Sequence, residues 1–199
     1  MIIPFPDHIF VENSINCWCV LLLLNKDAQK YKIKFPLLYP IAMRLEFKQG
    51  INNCSVINDT YSNDLHSLEI AIGFLENQKQ HKTKTIILSD ILQSGLSPGK
   101  LYEETASFFK HKKIDRLIGI GSDIFSQQDA VSFIKDKVCF LTKEEFLKNF
   151  HKLHFRDETI LVKGARSFGF EQIVKKLEQK AHQTILSINM NSIVHNLKN

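Results

Sequence analysis

The sequence predicts an α/β protein: a Rossmann-like, mainly parallel sheet with helices on both faces. Three observations carry this prediction. Short Ile- and Val-rich runs alternate with segments of helical periodicity, each run breaks into polar turn residues, and the next helix then starts at once. The pattern is plainest in SVINDTYSNDLHS (55–67) and TILVKGARS (159–167). In such a sheet the carboxyl ends of strands and the amino ends of helices meet along one edge, where loop side chains and free backbone N–H groups hold ligands. Function is expected at that edge.

In chain order, the start is a Pro-punctuated extended segment, IIPFPDH, followed by 11–25, whose apolar positions are dense enough to predict a buried helix. Pro36 and Pro40 bracket an irregular connection into MRLEFK (43–48), whose alternation fits a strand; 49–53 reads as a turn and 54–57 as the next strand. Asp64 is placed to cap a helix over 65–78 with Leu68, Ala71, Ile72 and Leu75 on one face. Strand 85–88, helix 100–111 and strand 116–120 follow. Strand 138–141 leads to Thr142, which caps 143–150 with Glu145 at the capping-box position. Strand 159–162 and helix 170–179 complete the repeat, and TILSIN (184–189) predicts one more strand before a helix over 190–198. Strands separated by helices imply parallel pairing with both faces covered.

The 199 residues, 44% of them hydrophobic, suffice for one full domain with a substantial core. The +5 charge arises from 26 basic and 21 acidic residues, with lysines (Lys79, Lys82, Lys84; Lys110, Lys112, Lys113) near helix ends, where they face a favourable dipole. No basic stripe interleaved with aromatics points to nucleic acid. Cys17, Cys19, Cys54 and Cys139 form no C-x-x-C pair and have no His at metal-ligand spacing, which argues against zinc. The apolar run 17–24 is too short to span a bilayer and follows acidic residues, unlike a signal peptide. A cytoplasmic protein with reduced thiols and no membrane contact is expected.

Asp59 directly follows a strand, where a carboxylate can accept from a ribose, help to hold a cation, or serve as a turn residue. Tyr61 offers a ring and a hydroxyl, for stacking or for packing. Lys163 and Arg166 flank Gly164 at a helix start, an arrangement suited to carboxylate or phosphate or else a solvated loop. Ser89 and Asp90 occupy the corresponding junction after the third strand; Asp90 suits an ammonium group or the start of a turn. Gly119 and Gly121 make half of a dinucleotide fingerprint without its third glycine, which argues against nicotinamide binding.

Together these stretches resemble the peptidoglycan Mur ligases, in particular those that add D-alanyl-D-alanine to UDP-N-acetylmuramoyl-tripeptide. The likeness is carried by MRLEFKQGINNCSVINDTYSNDLHSL (43–68), IILSDILQSG (86–95), IDRLIGIGSDI (114–124) and ILVKGARSFGFEQIV (160–174). Upstream, 4–24 is similar to the end of that family's central ATPase domain; downstream, 182–199 is similar to the opening of an alanine racemase. The resemblance thus implies residues 1–40 as the tail of an ATPase domain, 41–181 as the ligase C-terminal domain and 182–199 as a truncated racemase start, in the order of a bifunctional fusion.

What the resemblance implies is an ATP-dependent amide ligase that phosphorylates the tripeptide carboxylate, whose acyl phosphate the dipeptide amine attacks; magnesium and positioned cations stabilise the developing charge. By the same resemblance Asn13, Arg44 and Asp59 lie on the ATP side. Lys163, Gly164, Arg166 and Ser167, with Asp90 beside them, lie on the D-alanyl-D-alanine side, and Tyr61 and Asn63 are further candidates. The family's Asp-Ser-Tyr-Asn-Ala-Asn-Pro pattern stands here as Asp59-Thr60-Tyr61-Ser62-Asn63-Asp64-Leu65, its Gly-Asp turn as Ser89-Asp90, and its Lys-Gly-Ser-Arg loop carries Ala165. No G-x-x-x-x-G-K-[ST] loop occurs, so the chain alone is expected to be inactive, with ATP and Mg2+ used in a full-length enzyme and pyridoxal phosphate confined to a racemase domain. Other readings are a non-catalytic tether between ligase and racemase modules, and an unrelated Rossmann-type nucleotide binder. An exposed 1–40 segment is expected to promote dimers.

Overall fold

Among the described residues, six strands order the molecule. The computed structural model describes residues 8–24, 26–38, 43–92 and 94–179. Strands β1 (Glu46–Gln49), β2 (Ser55–Asp59), β3 (Thr83–Ser89), β4 (Arg116–Ile120), β5 (Asp136–Phe140) and β6 (Glu158–Lys163) form one sheet in the order β1-β2-β6-β3-β4-β5. Only β1 runs antiparallel, against β2; every other pairing is parallel. The α/β architecture expected from the sequence is the one observed.

Why the strands read as unbroken apolar runs is clear from their two faces. On β3, Ile86 and Leu88 face one core and Ile87 the other; on β6, Leu161 faces the first, and Ile160 and Val162 the second. Alternation is present, but both faces are buried, so it leaves no polar trace. Each of these side chains contributes about 1.5–3 kcal/mol relative to leaving it exposed.

Helices α3 (Leu65–Asn77) and α4 (Pro98–Lys110) cover the first face, while α6 (Lys143–Asn149) and α7 (Glu171–Leu177) cover the second. Helix α3 buries the four residues expected, Leu68, Ala71, Ile72 and Leu75. Its start is a reciprocal cap: Asp64 accepts the Ser67 N–H at 2.9 Å, and the Ser67 hydroxyl accepts the Asp64 N–H at 3.2 Å. At α6 Thr142 accepts from the Glu145 N–H as expected, but the Glu145 carboxylate reaches back to the N–H of Leu141.

Two expectations are corrected and one element is added. Helix α7 ends at Leu177, because Glu178 bridges to Gly50 and the Gln179 N–H bonds to the Gln49 carbonyl, which straightens the chain beside β1. A short helix, α5 (Ser122–Ser126), follows β4 in a stretch to which the sequence assigns no element. The helix expected to be buried near the start, α1 (His8–Leu23), is largely exposed. Its stripe Val11, Ser14, Trp18 and Leu21 is shielded, with Trp18 edge-on to Phe35 at 5.6 Å beyond α2 (Ala28–Lys32). Ile15, Val20, Leu22 and Leu23 find no cover among the described residues: Leu23 is 81% exposed and Val20 52%. Apolar density in a sequence indicates surface that seeks a partner, not where the partner is.

The strand and helix expected over 184–198 lie outside the described residues.

Candidate functional site

The carboxyl ends of β2, β6 and β3 lie side by side, so the three following loops share one rim. Register places Asp59 opposite Lys163, and Leu88 beside Lys163 on the other side. The Lys163 ammonium sits 2.8 Å from the Asp59 carboxylate and donates to the Ser62 carbonyl at 2.5 Å. Its side chain is fully buried. The free cation expected from the sequence at this position is therefore spent within the fold: the charge of Lys163 holds the β2–α3 loop against β6. Burial pushes the Asp59 carboxyl above its ordinary range, against the downward pull of Lys163, the Leu45 N–H and Arg44.

Gly164 follows directly. A Cβ there would meet the Phe170 ring at 2.6 Å, so the missing side chain lets the loop lie flat over α7. The next N–H, from Ala165, donates to the Ser89 hydroxyl at 3.1 Å. That hydroxyl also receives the Asn63 carboxamide, whose nitrogen donates further to the carbonyls of Ser89 and Asp90. Ser89 thus stitches the three loops together. Spacing alone could not have found it, because Ser89 and Ala165 meet only through the insertion of β6 beside β3.

Asp90 turns away from the Lys163–Ser167 loop. Its carboxylate accepts the N–H groups of Ile124 at 2.8 Å and Asp123 at 3.3 Å, with the Tyr102 hydroxyl at 3.4 Å, and so anchors the start of α5. Gly121, at φ 146°, leaves the space this carboxylate occupies. Burial pushes both the Asp90 carboxyl and the Tyr102 phenol up. An anchoring role accounts for Asp90 without a bound ammonium group.

Above this scaffold the charges are open. Arg44, Arg166 and Ser167 are exposed. The Arg44 guanidinium lies 4.5 Å from the centroid of the Tyr61 ring and that of Arg166 lies 5.8 Å from the same centroid. A cleft of about 310 Å³ opens beside them, lined by Tyr61, Asn63, Asp64, Leu92, Arg166 and Ser167 among others. The structure therefore brings Arg44, Tyr61, Asn63, Arg166 and Ser167 to one place, with Asp59, Lys163 and Gly164 beneath them. Asn13 is exposed on α1, and no described hydrogen bond, ion pair or ring contact joins it to Arg44 or Asp59. A second cleft of about 290 Å³, lined by Lys110, Lys112, Phe133 and Lys135 among others, holds none of the predicted site residues.

A nucleotide phosphate suits the exposed guanidinium of Arg44. Magnesium does not suit this rim, because the Asp59 carboxylate is committed to Lys163 and that of Asp90 to backbone amides. Among the described residues no group of three His, Cys, Asp or Glu side chains converges on a metal position, and no helix is long and apolar enough to cross a membrane.

No family model matches the chain. It is 30% identical over 138 residues to the UDP-N-acetylmuramoyl-tripeptide–D-alanyl-D-alanine ligase of Bacillus subtilis (strain 168), covering 68% of this chain and 30% of that protein. The ligase of the same name from Buchnera aphidicola (strain Bp) is 25% identical over 183 residues, 91% of this chain and 39% of the relative. The chain thus spans between about a third and two fifths of the relatives it matches. Among solved structures, MurF from Acinetobacter baumannii superposes with a TM-score of 0.73 over 88% of this chain and 39% of its own, at 20% identity. The MurF ligase of Thermotoga maritima, in complex with ADP, gives 0.58 over 84% of this chain and 37% of its own, at 15% identity. At those identities the structures speak for the fold alone. Sequence and fold together support homology between this chain and the C-terminal domain of the UDP-N-acetylmuramoyl-tripeptide–D-alanyl-D-alanine ligases.

Proposed function

We propose that this chain is the C-terminal domain of an ATP-dependent ligase that joins D-alanyl-D-alanine to UDP-N-acetylmuramoyl-tripeptide in peptidoglycan synthesis. The observation that carries the reading is the meeting of the β2–α3 and β6–α7 loops around one cleft, with Arg166 in its lining and the exposed Arg44 guanidinium against the ring of Tyr61, which also lines it. Arg166 and Ser167 are assigned to the dipeptide carboxylate, and Arg44 to the nucleotide phosphates. Asp59, Lys163, Gly164 and Asp90 are assigned to holding the loops, and Tyr61 and Asn63 to the cleft wall. Asn13 remains a candidate for the adenine side, to be brought to the rim when the domain closes over the nucleotide.

In this reading ATP phosphorylation and Mg2+ binding belong to other domains of a full-length enzyme, so the chain is inactive by itself. Residues 182–199, outside the described region, resemble the opening of an alanine racemase; in a fusion, pyridoxal phosphate would belong to that racemase domain. The exposed apolar surface of α1 would then pack on the ligase's ATPase domain, and in its absence would favour dimers, which sedimentation across a wide concentration range would detect.

Calorimetric titration with D-alanyl-D-alanine and L-alanyl-L-alanine tests the reading. Binding of the D,D form at about millimolar affinity, with at least a tenfold preference over L,L, is the expected outcome. Equal or absent binding of both would favour a tether between ligase and racemase modules instead.

A further inference from the structure

Three surface features invite a further role: the lysine-lined cleft, the exposed apolar side of α1, and the ring of Tyr61 with its two arginines. The first has lysines beside a helix C-terminus, one of them paired with Glu76, which a solvated helix end explains. The second is the surface already given to the neighbouring domain. The third carries an argument of its own.

Arg44 precedes β1, Tyr61 follows β2 and Arg166 follows β6, so three separate segments deliver these side chains. Both guanidinium groups lie within 6 Å of one ring centroid, the range in which a cation is drawn to an aromatic face. Their separation cannot exceed the sum of the two distances, within the reach of one small polyanion. Among the described residues neither guanidinium takes part in an ion pair or donates a side-chain hydrogen bond. The nearby carboxylates are occupied, Asp59 by Lys163 and Asp64 by the cap of α3. Two like charges with unspent donors are thus gathered at one ring that lines the cleft, an arrangement suited to a single anion. The ring is 38% exposed, so little of the fold depends on it.

We propose, on the reading of this edge as the ligand edge, that Tyr61 is a positioning residue: its ring holds Arg44 and Arg166 as a pincer that grips one phosphate-bearing anion across the mouth of the cleft. The hydroxyl has no part in this; the ring face does. The pincer links the segment before β1 to the β6–α7 loop, and so joins the two sides of the site that the ligase reading keeps apart.

The test uses the 199-residue chain, inorganic tripolyphosphate as the probe, and NMR detection of the arginine Nε–H signals. In the free protein the ring should shift the Nε–H signals of Arg44 and Arg166 upfield. Tyr61→Phe should keep those shifts, and Tyr61→Leu should abolish them at both arginines. Tripolyphosphate should bind the parent chain and Tyr61→Phe within a factor of two of each other. Affinity should fall about three- to fivefold in Tyr61→Leu, the size of an exposed cation–π contact, and about tenfold in Arg44→Gln or Arg166→Gln. Loss in Tyr61→Leu and Arg166→Gln should be less than multiplicative when combined. The inference is overturned if the parent chain does not bind tripolyphosphate, if Tyr61→Leu binds as the parent does, or if Tyr61→Phe loses as much as Tyr61→Leu. D-alanyl-D-alanine titrated into the same samples separates the two ideas: dipeptide binding without tripolyphosphate binding removes the pincer and leaves the ligase reading standing, and the reverse removes the ligase reading alone.

Discussion

Two sets of charges stacked on one sheet edge behave differently. Below, Lys163 and Asp59 are buried at 2.8 Å and satisfy each other. Above, Arg44 and Arg166 both lie against the ring of Tyr61 and make no side-chain hydrogen bond or ion pair among the described residues. The lower pair is connected to the fold on all sides, through the Ser62 carbonyl, the Leu45 N–H and the β2–β6 register. The upper pair's side chains are exposed and lie against one half-exposed ring, with Arg44 also within the field of Asp59. Cations from the same four-residue stretch, Lys163 to Arg166, therefore divide into one that shapes the loop and one that is open to a ligand, and burial makes the division.

The comparison breaks most readily at the lower pair. Replacing Lys163 by Met should leave the Asp59 carboxylate buried without its partner and cost about 3–5 kcal/mol, read as a fall in the urea midpoint. A loss below about 1 kcal/mol would mean that the pair is not holding the loops. Gly164→Ala should follow, at about 1–3 kcal/mol, because the new methyl group collides with Phe170; a thermal melt unchanged from the parent would refute the close approach.

A smaller effect comes from the cap between the two layers. The Asp64 carboxyl is lifted by partial burial, but the Ser67 N–H and hydroxyl outweigh this and hold it below its ordinary range. A depressed folded value contributes stability above the unfolded range near 4 that is lost as pH falls through the folded value. Asp64→Ala should therefore cost about 1 kcal/mol at pH 6 and progressively less as the pH falls toward 3. A gap between the two proteins that stays constant over that range would contradict the assignment. Smallest of all, Arg166→Gln should move stability by no more than about 0.5 kcal/mol in denaturant, since the side chain is exposed; a larger loss would place Arg166 with the lower set.

Much of the sheet was legible in the sequence because Ile- and Val-rich runs have few other uses, and the start of α3 was legible because Asp64 directly before an amphipathic run signals a cap locally, while the reciprocal Ser67 hydroxyl was not foreseen. The pairing of Asp59 with Lys163 was not. It depends on β6 entering the sheet between β2 and β3, a consequence of packing that no spacing along the chain encodes. Asp90 misled for a related reason: a carboxylate after a strand looks the same whether it faces a ligand or the backbone of α5, and only the conformation of Gly121 decides. For α1 the sequence showed densely placed apolar residues and could not show that Ile15, Val20, Leu22 and Leu23 are left exposed among the described residues. Tyr61, Asn63, Arg166 and Ser167 were found because they follow strands, and Arg44, which precedes β1, only through the family resemblance; the division into support and surface required knowing which side chains were buried.

The measurement that bears most directly on this account is an amide-resolved NMR titration of the chain with D-alanyl-D-alanine, with the L,L dipeptide as control. Stereoselective shifts should centre on Tyr61, Arg166 and Ser167, while the Lys163 ammonium signal keeps the position set by its contact with Asp59. Shifts centred on the lysine cleft, a Lys163 ammonium that responds directly to the ligand, or equal responses to the two dipeptides would contradict the division of charges on which the functional reading stands.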